Sequence, residues 1–511
     1  MPDLVFGACC AASAGLLFVA INLFGMRQFP GEDGGVTMNV AWQLWLHREP
    51  YADVVAAFPP LFLLGARGAF SLFGQTWQAL VLCTATYAAV TFVLQVLLLR
   101  RLGVSRSSAL LIALGVQAMT TVPASFWWYN QVTAVAACLF ATSALLLYER
   151  PDDRVARAAL GFTTAALLLA KPNIAVPLLL GAFVALLVAR ATRRSALVAL
   201  GGGLLVAAFA FVVVLGATPA AYARALADAG GRATDSDSWM RFAFEHNAVE
   251  ASWTFALLIP VAAALAIAWA AGLVRRHEAL LLGTAAIVSL IGIATNNDYN
   301  AVDLALAVAM ALTVVGVSAR AAPAMAGPAR RARVLGAVAA VAAVAIIITG
   351  VVSGQDRDRI AAASHGVYYE DIPLTPFPDE LRVAAFVGLH TGPRLIEVSR
   401  DLIGVAERIH ADRGDFEPNI YFGPRLQWAY PALRERPAIG IPVYWEPFQM
   451  PSARSTEMVE RFSEANIDYA IFLRNDYTFL PVKMIALLER EYLRSDATPT
   501  LTVWHRPGTR V

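Results

Sequence analysis

Charge is scarce in this chain of 511 residues: Asp, Glu, Lys and Arg together make up 15%, against 58% apolar residues and a mean hydropathy of +0.58. That balance exceeds what a soluble core requires and points to many bilayer spans, which excludes an ordinary soluble globular protein. The formal net charge of +2 is too small to suggest a polyanionic partner, so no nucleic acid is implied. Lysine is nearly missing: Lys171 and Lys483 stand alone, and the other basic residues are arginines. Cysteine is also sparse. Cys9, Cys10, Cys83 and Cys138 all lie inside apolar runs with no CxxC spacing, which argues against disulfides and against a thiolate metal site. The seven histidines are scattered, and no Walker sequence, HExxH, or GxGxxG between strand and helix occurs, so direct use of a nucleotide and a tightly held transition metal are both disfavoured.

What the chain does have is long apolar runs. Windows of about 17 to 25 apolar residues predict eleven spans, near 4–25, 76–99, 108–123, 131–148, 157–170, 173–189, 196–216, 252–273, 279–295, 301–318 and 334–352. The first run lacks a basic leader and is read as an uncleaved span rather than a signal peptide. Arginine clusters follow the even-numbered spans: Arg100, Arg101 and Arg106; Arg150, Arg154 and Arg157; Arg190, Arg193 and Arg194; Arg275 and Arg276; Arg320, Arg330, Arg331 and Arg333. By the positive-inside rule these turns are cytoplasmic, which places the amino terminus inside, the first loop (26–75) outside, and everything after residue 352 outside. The expected fold class is thus an α-helical polytopic membrane protein with a transmembrane domain over 1–353. A tail over 354–511 changes character: Asn419 to Phe422, Tyr469 to Leu473 and Leu501 to Trp504 read as strands, Ser399 to Ala411 and Thr456 to Ala465 as helices, and together they predict a small extracytoplasmic α/β domain.

Polar residues next to apolar runs are the candidate functional groups. Glu32 and Asp33 follow the first span directly, with Gly34 and Gly35 behind them, where glycine's missing Cβ allows close backbone approach to a ligand. The plainer role for Asp33 is to cap a helix over Val36 to Leu46. Asp53 and Tyr51 lie further along the same loop, Asp53 as a substrate-orienting or turn-capping group. Ala170-Lys171-Pro172-Asn173 breaks the short spans 157–170 and 173–189, the first of which is only about 21 Å long. A lysine there is costly against lipid, so the break is expected to line a hydrated cavity at the outer face, with helix-end snorkelling as its alternative. Arg67 and Arg241 are further cations on the outer side. Asn296, Asn297 and Asp298 are candidate hydroxyl-binding or capping groups. The run Trp127-Trp128-Tyr129-Asn130 fits either ligand stacking or an interfacial aromatic belt.

Taken together, Glu32-Asp33, Pro50-Tyr51-Ala52-Asp53 and Phe58-Pro59-Pro60-Leu61 make a loop that resembles the first extracytoplasmic loop of GT-C glycosyltransferases, the polyprenyl-phosphate-sugar-dependent enzymes that include protein mannosyltransferases and lipid A aminoarabinose transferases. Asp33 matches the family's acid. Gly34 departs from the family pattern, where a Glu often follows that acid. Leu169-Ala170-Lys171-Pro172-Asn173 looks like a helix-breaking lysine motif of many relatives, and an appended outer domain is common among them.

The resemblance implies a multi-pass enzyme of the bacterial cytoplasmic membrane. It would transfer a sugar, with inversion, from a polyprenyl phosphate to an extracytoplasmic glycan, lipid or protein. Such a transfer needs a base for the acceptor proton and positive charge for the departing phosphate. Asp33 is expected as the base, with Glu32 as its neighbour. Lys171 is expected on the phosphate, and Arg67, Arg241, Tyr51, Asp53, Asn296 and Asp298 as further substrate contacts. No tightly bound cofactor is expected. The resemblance leaves a divalent cation open, although Glu32 and Asp33 alone form an incomplete oxygen shell. A polytopic transporter or lipid flippase without transferase activity is the alternative, weakened because no matching pair of interrupted helices recurs in two halves.

Overall fold

The computed structural model describes residues 2–27, 29–230, 276–295, 300–321, 368, 373–413, 417–443, 452–474 and 480–509. Twelve α-helices come first: α1 (Asp3–Gly25), α2 (Gly31–Trp45), α3 (Pro60–Phe73), α4 (Trp77–Leu102), α5 (Arg106–Ala124), α6 (Tyr129–Glu149), α7 (Arg154–Leu168), α8 (Pro172–Val188), α9 (Arg193–Phe209), which continues as a π-helical turn over Ala210–Val214, α10 (Pro219–Gly230), α11 (Arg276–Thr295) and α12 (Asn300–Ala321). Nine predicted spans fall on α1, α4 to α9, α11 and α12; the two near 252–273 and 334–352 lie outside the described residues, as does the boundary at 353/354. Among the described residues, four helices are long and apolar enough to cross a bilayer: Asp3–Gly25, Trp77–Leu102, Tyr129–Glu149 and Arg193–Val214.

Local chemistry explains where these helices begin and end. Thr76 opens α4 by accepting the Ala79 N–H at 3.2 Å, and Gly103, at φ +89°, closes it in the left-handed conformation that L side chains avoid. Asp153 opens α7 by accepting the N–H groups of Val155 and Ala156. Proline occupies the first helical position of both α3 and α8, where its missing N–H costs nothing. The packing is layered. α6 is the central helix, buried along nearly its whole length, whereas α1 and α9 leave leucines, valines and phenylalanines exposed as a lipid-facing surface requires. α7 and α9 touch through glycines: a Cβ on Gly203 would stand 2.8 Å from the Gly161 carbonyl oxygen.

The tail folds around a four-stranded sheet. Its elements are β1 (Thr375–Pro376), β2 (His390–Thr391), α13 (Pro393–Arg413), β3 (Ile420–Phe422), α14 (Ala429–Leu433), α15 (Ser452–Glu464), β4 (Tyr469–Leu473), α16 (Val482–Glu491), β5 (Leu493–Ser495) and β6 (Leu501–His505). The sheet order is β3-β4-β6-β5, with β3 parallel to β4 and the other two pairings antiparallel; β1 and β2 form a separate short pair. The three predicted strands and two predicted helices are all present, Tyr469–Leu473 with the expected ends and the others with shifted ones. One buried apolar cluster runs without interruption from Phe29 and Val36 in the first loop to Leu501 and Val503 in the sheet. Backbone hydrogen bonds join the two regions: the N–H groups of His390, Gly440 and Val443 donate to the carbonyls of Met26, Asp53 and Val55.

Candidate functional site

The acids sit on a helix rather than in a loop. α2 begins at Gly31, five residues before the expected Val36, so Glu32 and Asp33 occupy its first turn, where the helix dipole favours negative charge. This corrects the capping alternative for Asp33: the cap position belongs to Pro30, and the Asp33 carbonyl accepts the Thr37 hydroxyl at 2.8 Å. Both acids are half-buried. The glycines behind them lie against protein atoms. A Cβ on Gly34 would lie 2.9 Å from Pro30 and 3.0 Å from the Phe29 ring, and one on Gly35 would meet Gln427 and Trp428 of the tail. The missing side chain of Gly34 thus avoids crowding Pro30 and Phe29, whereas a Cβ on Gly35 would make only ordinary contacts with the tail.

Asp53 closes a turn, its carboxylate accepting the Glu49 N–H at 2.9 Å. Tyr51 is buried at φ +68° and donates its hydroxyl to the Phe58 carbonyl at 2.9 Å. Its ring lies 4.9 Å from Tyr222 and 6.4 Å from Phe211. Burial raises the Tyr51 phenol well above its ordinary value, with Tyr222 adding to the effect, and burial pushes Tyr222 up to about 12. Neither phenol therefore ionises near neutral pH, and both act as hydrogen-bonding, ring-stacking groups. Tyr51 and Asp53 shape the loop and the aromatic wall on one side of α3.

Lys171 lies where α3, α6, α7 and α8 meet. The Leu61 N–H in the first turn of α3 donates to the Leu169 carbonyl at the end of α7 at 2.8 Å, so each helix end satisfies an orphan group of the other. Two residues on, the Lys171 N–H donates to Thr133 Oγ1, Nζ donates to Asn130 Oδ1 at 3.3 Å, and the ammonium stands 5.1 Å from the centre of the Tyr129 ring. A cation over an aromatic face with an amide oxygen beside it is a charge held at the helix junction. Asn130 was legible only as the end of an aromatic run and Thr133 was not singled out, because their one-turn spacing along α6 matters only once Lys171 is placed opposite.

The tryptophans next to Tyr129 form a buried wall. Trp127 donates its indole N–H to the Phe62 carbonyl at 2.8 Å and covers Gly65; Trp128 packs on Phe58 and Phe62. Neither of the two readings from sequence, an interfacial belt or a ligand stack, describes Trp127 and Trp128, because α3 covers them. Rings connect the two charged regions: Phe29 to Trp77 at 5.1 Å, Trp77 to Phe126 at 5.4 Å, Phe126 to Trp128 at 5.9 Å, and Trp128 to Tyr129 at 4.7 Å beneath Lys171. Arg67 engages Nη1 with the Val214 carbonyl at 2.9 Å at the end of the π-helical turn. Arg241, Asn296, Asn297 and Asp298 lie outside the described residues. Among the described residues no group of three or more His, Cys, Asp or Glu side chains is arranged to hold a metal ion.

The fold has counterparts among solved structures. ArnT from Cupriavidus metallidurans, solved bound to undecaprenyl phosphate, superposes with a TM-score of 0.52 at 15% identity, covering 98% of this chain and 97% of that one. This chain has the ArnT fold. The apo structure of the same ArnT gives a TM-score of 0.51 with the same identity and coverage. The shared architecture is that of a polytopic helical membrane protein, and its reach over 98% of the chain takes in the tail together with the helices. No protein-family model matches the chain, and no curated protein does.

Proposed function

We propose that this protein is an integral glycosyltransferase of the GT-C type that moves a sugar from a polyprenyl phosphate to an acceptor outside the cytoplasmic membrane. The observation that carries the reading is the held Lys171 ammonium at the meeting point of four helices, in a chain whose fold is shared end to end with an ArnT solved on undecaprenyl phosphate. An ammonium in that setting suits the phosphate of a lipid carrier, and Arg67 lies on the neighbouring helix as a second cation. Asp33 is the base that takes the proton of the attacking acceptor hydroxyl as the sugar–phosphate bond breaks and the polyprenyl phosphate leaves with the bonding pair. Direct attack of this kind inverts the anomeric centre. Glu32 shares the first turn of α2 and adds negative charge beside the base. The tail and first loop face the extracytoplasmic side in this reading, as the arginine clusters require.

A carrier on the same fold would move its lipid and leave the sugar attached. Purified full-length protein in liposomes, given radiolabelled polyprenyl-phosphate sugars and an envelope extract as acceptor, is expected to form labelled glycosylated product and free polyprenyl phosphate. Label that crosses the bilayer still attached to its lipid, with no product formed, contradicts the transferase and supports the flippase.

A further inference from the structure

Besides packing on α3, the acid-bearing helix is gripped by the tail at both ends and along one face. Before α2, Phe29 packs at 5.1 Å on Phe386 and 6.1 Å on Tyr368, and His390 donates to the Met26 carbonyl. After it, Gly440 and Val443 bond the carbonyls of Asp53 and Val55. Along it, Gly35 lies against Gln427 and Trp428, and buried Trp42 donates its indole N–H to the Glu435 carbonyl at 2.7 Å. The Glu435 carboxylate in turn meets His410 Nε2 at 2.7 Å, which ties this corner to α13.

Helix geometry gives these contacts a consequence. At 100° per residue, Gly35 and Trp42 are seven apart and lie about 20° from one another, on one face, whereas Asp33 is nine residues from Trp42 and about 180° away. Glu32 is about 60° from Gly35, on the tail side. The face that the tail grips is therefore the face opposite Asp33, and turning α2 about its axis by about 100° would bring Glu32 to the direction in which Asp33 points and carry Asp33 away from it. We infer that the tail sets the rotation of α2, with Trp42 as a positioning residue that acts through the helix on Asp33. The kinetic part rests on the transferase reading given above; the rotation does not.

Cysteine labelling tests the rotation without turnover. Full-length Asp33→Cys protein is treated with a membrane-impermeant maleimide, alone and combined with Trp42→Phe, which keeps an aromatic ring but removes the indole N–H. The expected result is a change of about threefold or more in the modification rate at position 33, since a helix freed from one buried hydrogen bond samples other rotations. In the native-cysteine enzyme, Trp42→Phe is expected to lower kcat about tenfold with donor KM within about twofold, the pattern of a lost interaction made in the transition state. If Trp42→Phe does not fold, Gly35→Val, which drives a side chain against Trp428, serves in its place. Equal labelling rates in the two backgrounds overturn the inference, as does an unchanged kcat in an active enzyme. Wild-type protein that uses no lipid-phosphate sugar overturns the transferase reading instead and leaves the labelling rates to decide the rotation.

Discussion

At the scale of single residues, two charged groups carry the proposed chemistry and a third holds a turn. Lys171 is fixed by Asn130 and Tyr129, so its ammonium is already placed when a phosphate arrives. A charge-assisted hydrogen bond contributes about 1.5–3 kcal/mol, so Lys171→Ala is expected to raise donor KM roughly ten- to a hundredfold and to leave acceptor KM nearly unchanged. Steady-state kinetics with each substrate varied separately check this. Asp153 is different. Its carboxylate accepts from Arg101 at 2.6 and 3.0 Å while capping α7, and these bonds, the arginine first, hold it down to about 2. Because the folded value lies below the unfolded one, the stability it contributes is complete above an ordinary carboxylate pKa of about 4 and fades as pH falls toward 2. Asp153→Ala is expected to lose about 1 kcal/mol at pH 7, the usual worth of a helix cap, and to converge with the wild type in acid-series melting curves. The sequence exposed Lys171 because lysine is so rare here, and it exposed the Glu32-Asp33 pair because acids seldom sit beside a span. It hid the partnership of Asn130 and Thr133 with Lys171, which forms only once a later helix packs against α6.

At the scale of elements, apolar length was legible and packing was not. Nine spans read as uninterrupted hydrophobic windows have their helices, because a run that must satisfy its backbone in lipid has little choice but to coil. α2 was read late, from Val36, since Pro30, Gly31, Gly34 and Gly35 have the composition of a loop. Tertiary burial overrides that propensity: from Gly34 to Leu44 the helix is almost wholly covered, and Gly34 packs closely on Pro30 and Phe29. α3 hides the tryptophans for a similar reason. It lies against α6 with Gly65 beneath the Trp127 indole, where a methyl group has no room. Gly65→Ala is therefore expected to cost about 1–3 kcal/mol through overpacking, measurable as a lower thermal midpoint in detergent. A midpoint equal to wild type would mean that α3 and Trp127 are not in contact.

At the scale of the whole molecule, the first loop and the tail share a core. The strands and helices of the tail were readable from alternation and helical spacing, but nothing in the sequence placed Trp428 beside Gly35 or Tyr368 beside Phe29. Such pairings join positions more than 330 residues apart and leave no local periodicity. Trp428 is nearly fully buried, donates to the Tyr368 hydroxyl at 3.2 Å and packs on Phe386 at 4.9 Å. Its removal tests the coupling: Trp428→Ala is expected to destabilise the protein by about 3–5 kcal/mol and to speed amide exchange in α2 as well as in the tail. Faster exchange confined to the tail would show that the two regions open independently.

The central claim is that a carboxylate on α2 deprotonates the acceptor while the sugar leaves a lipid phosphate. Single-turnover transfer by purified Asp33→Asn protein, with saturating polyprenyl-phosphate sugar, addresses it most directly. The account predicts that the variant folds, binds donor with near-native affinity and transfers sugar at least about a hundredfold more slowly than wild type, the lower end of what a positioned general base contributes. Transfer at the wild-type rate would contradict it.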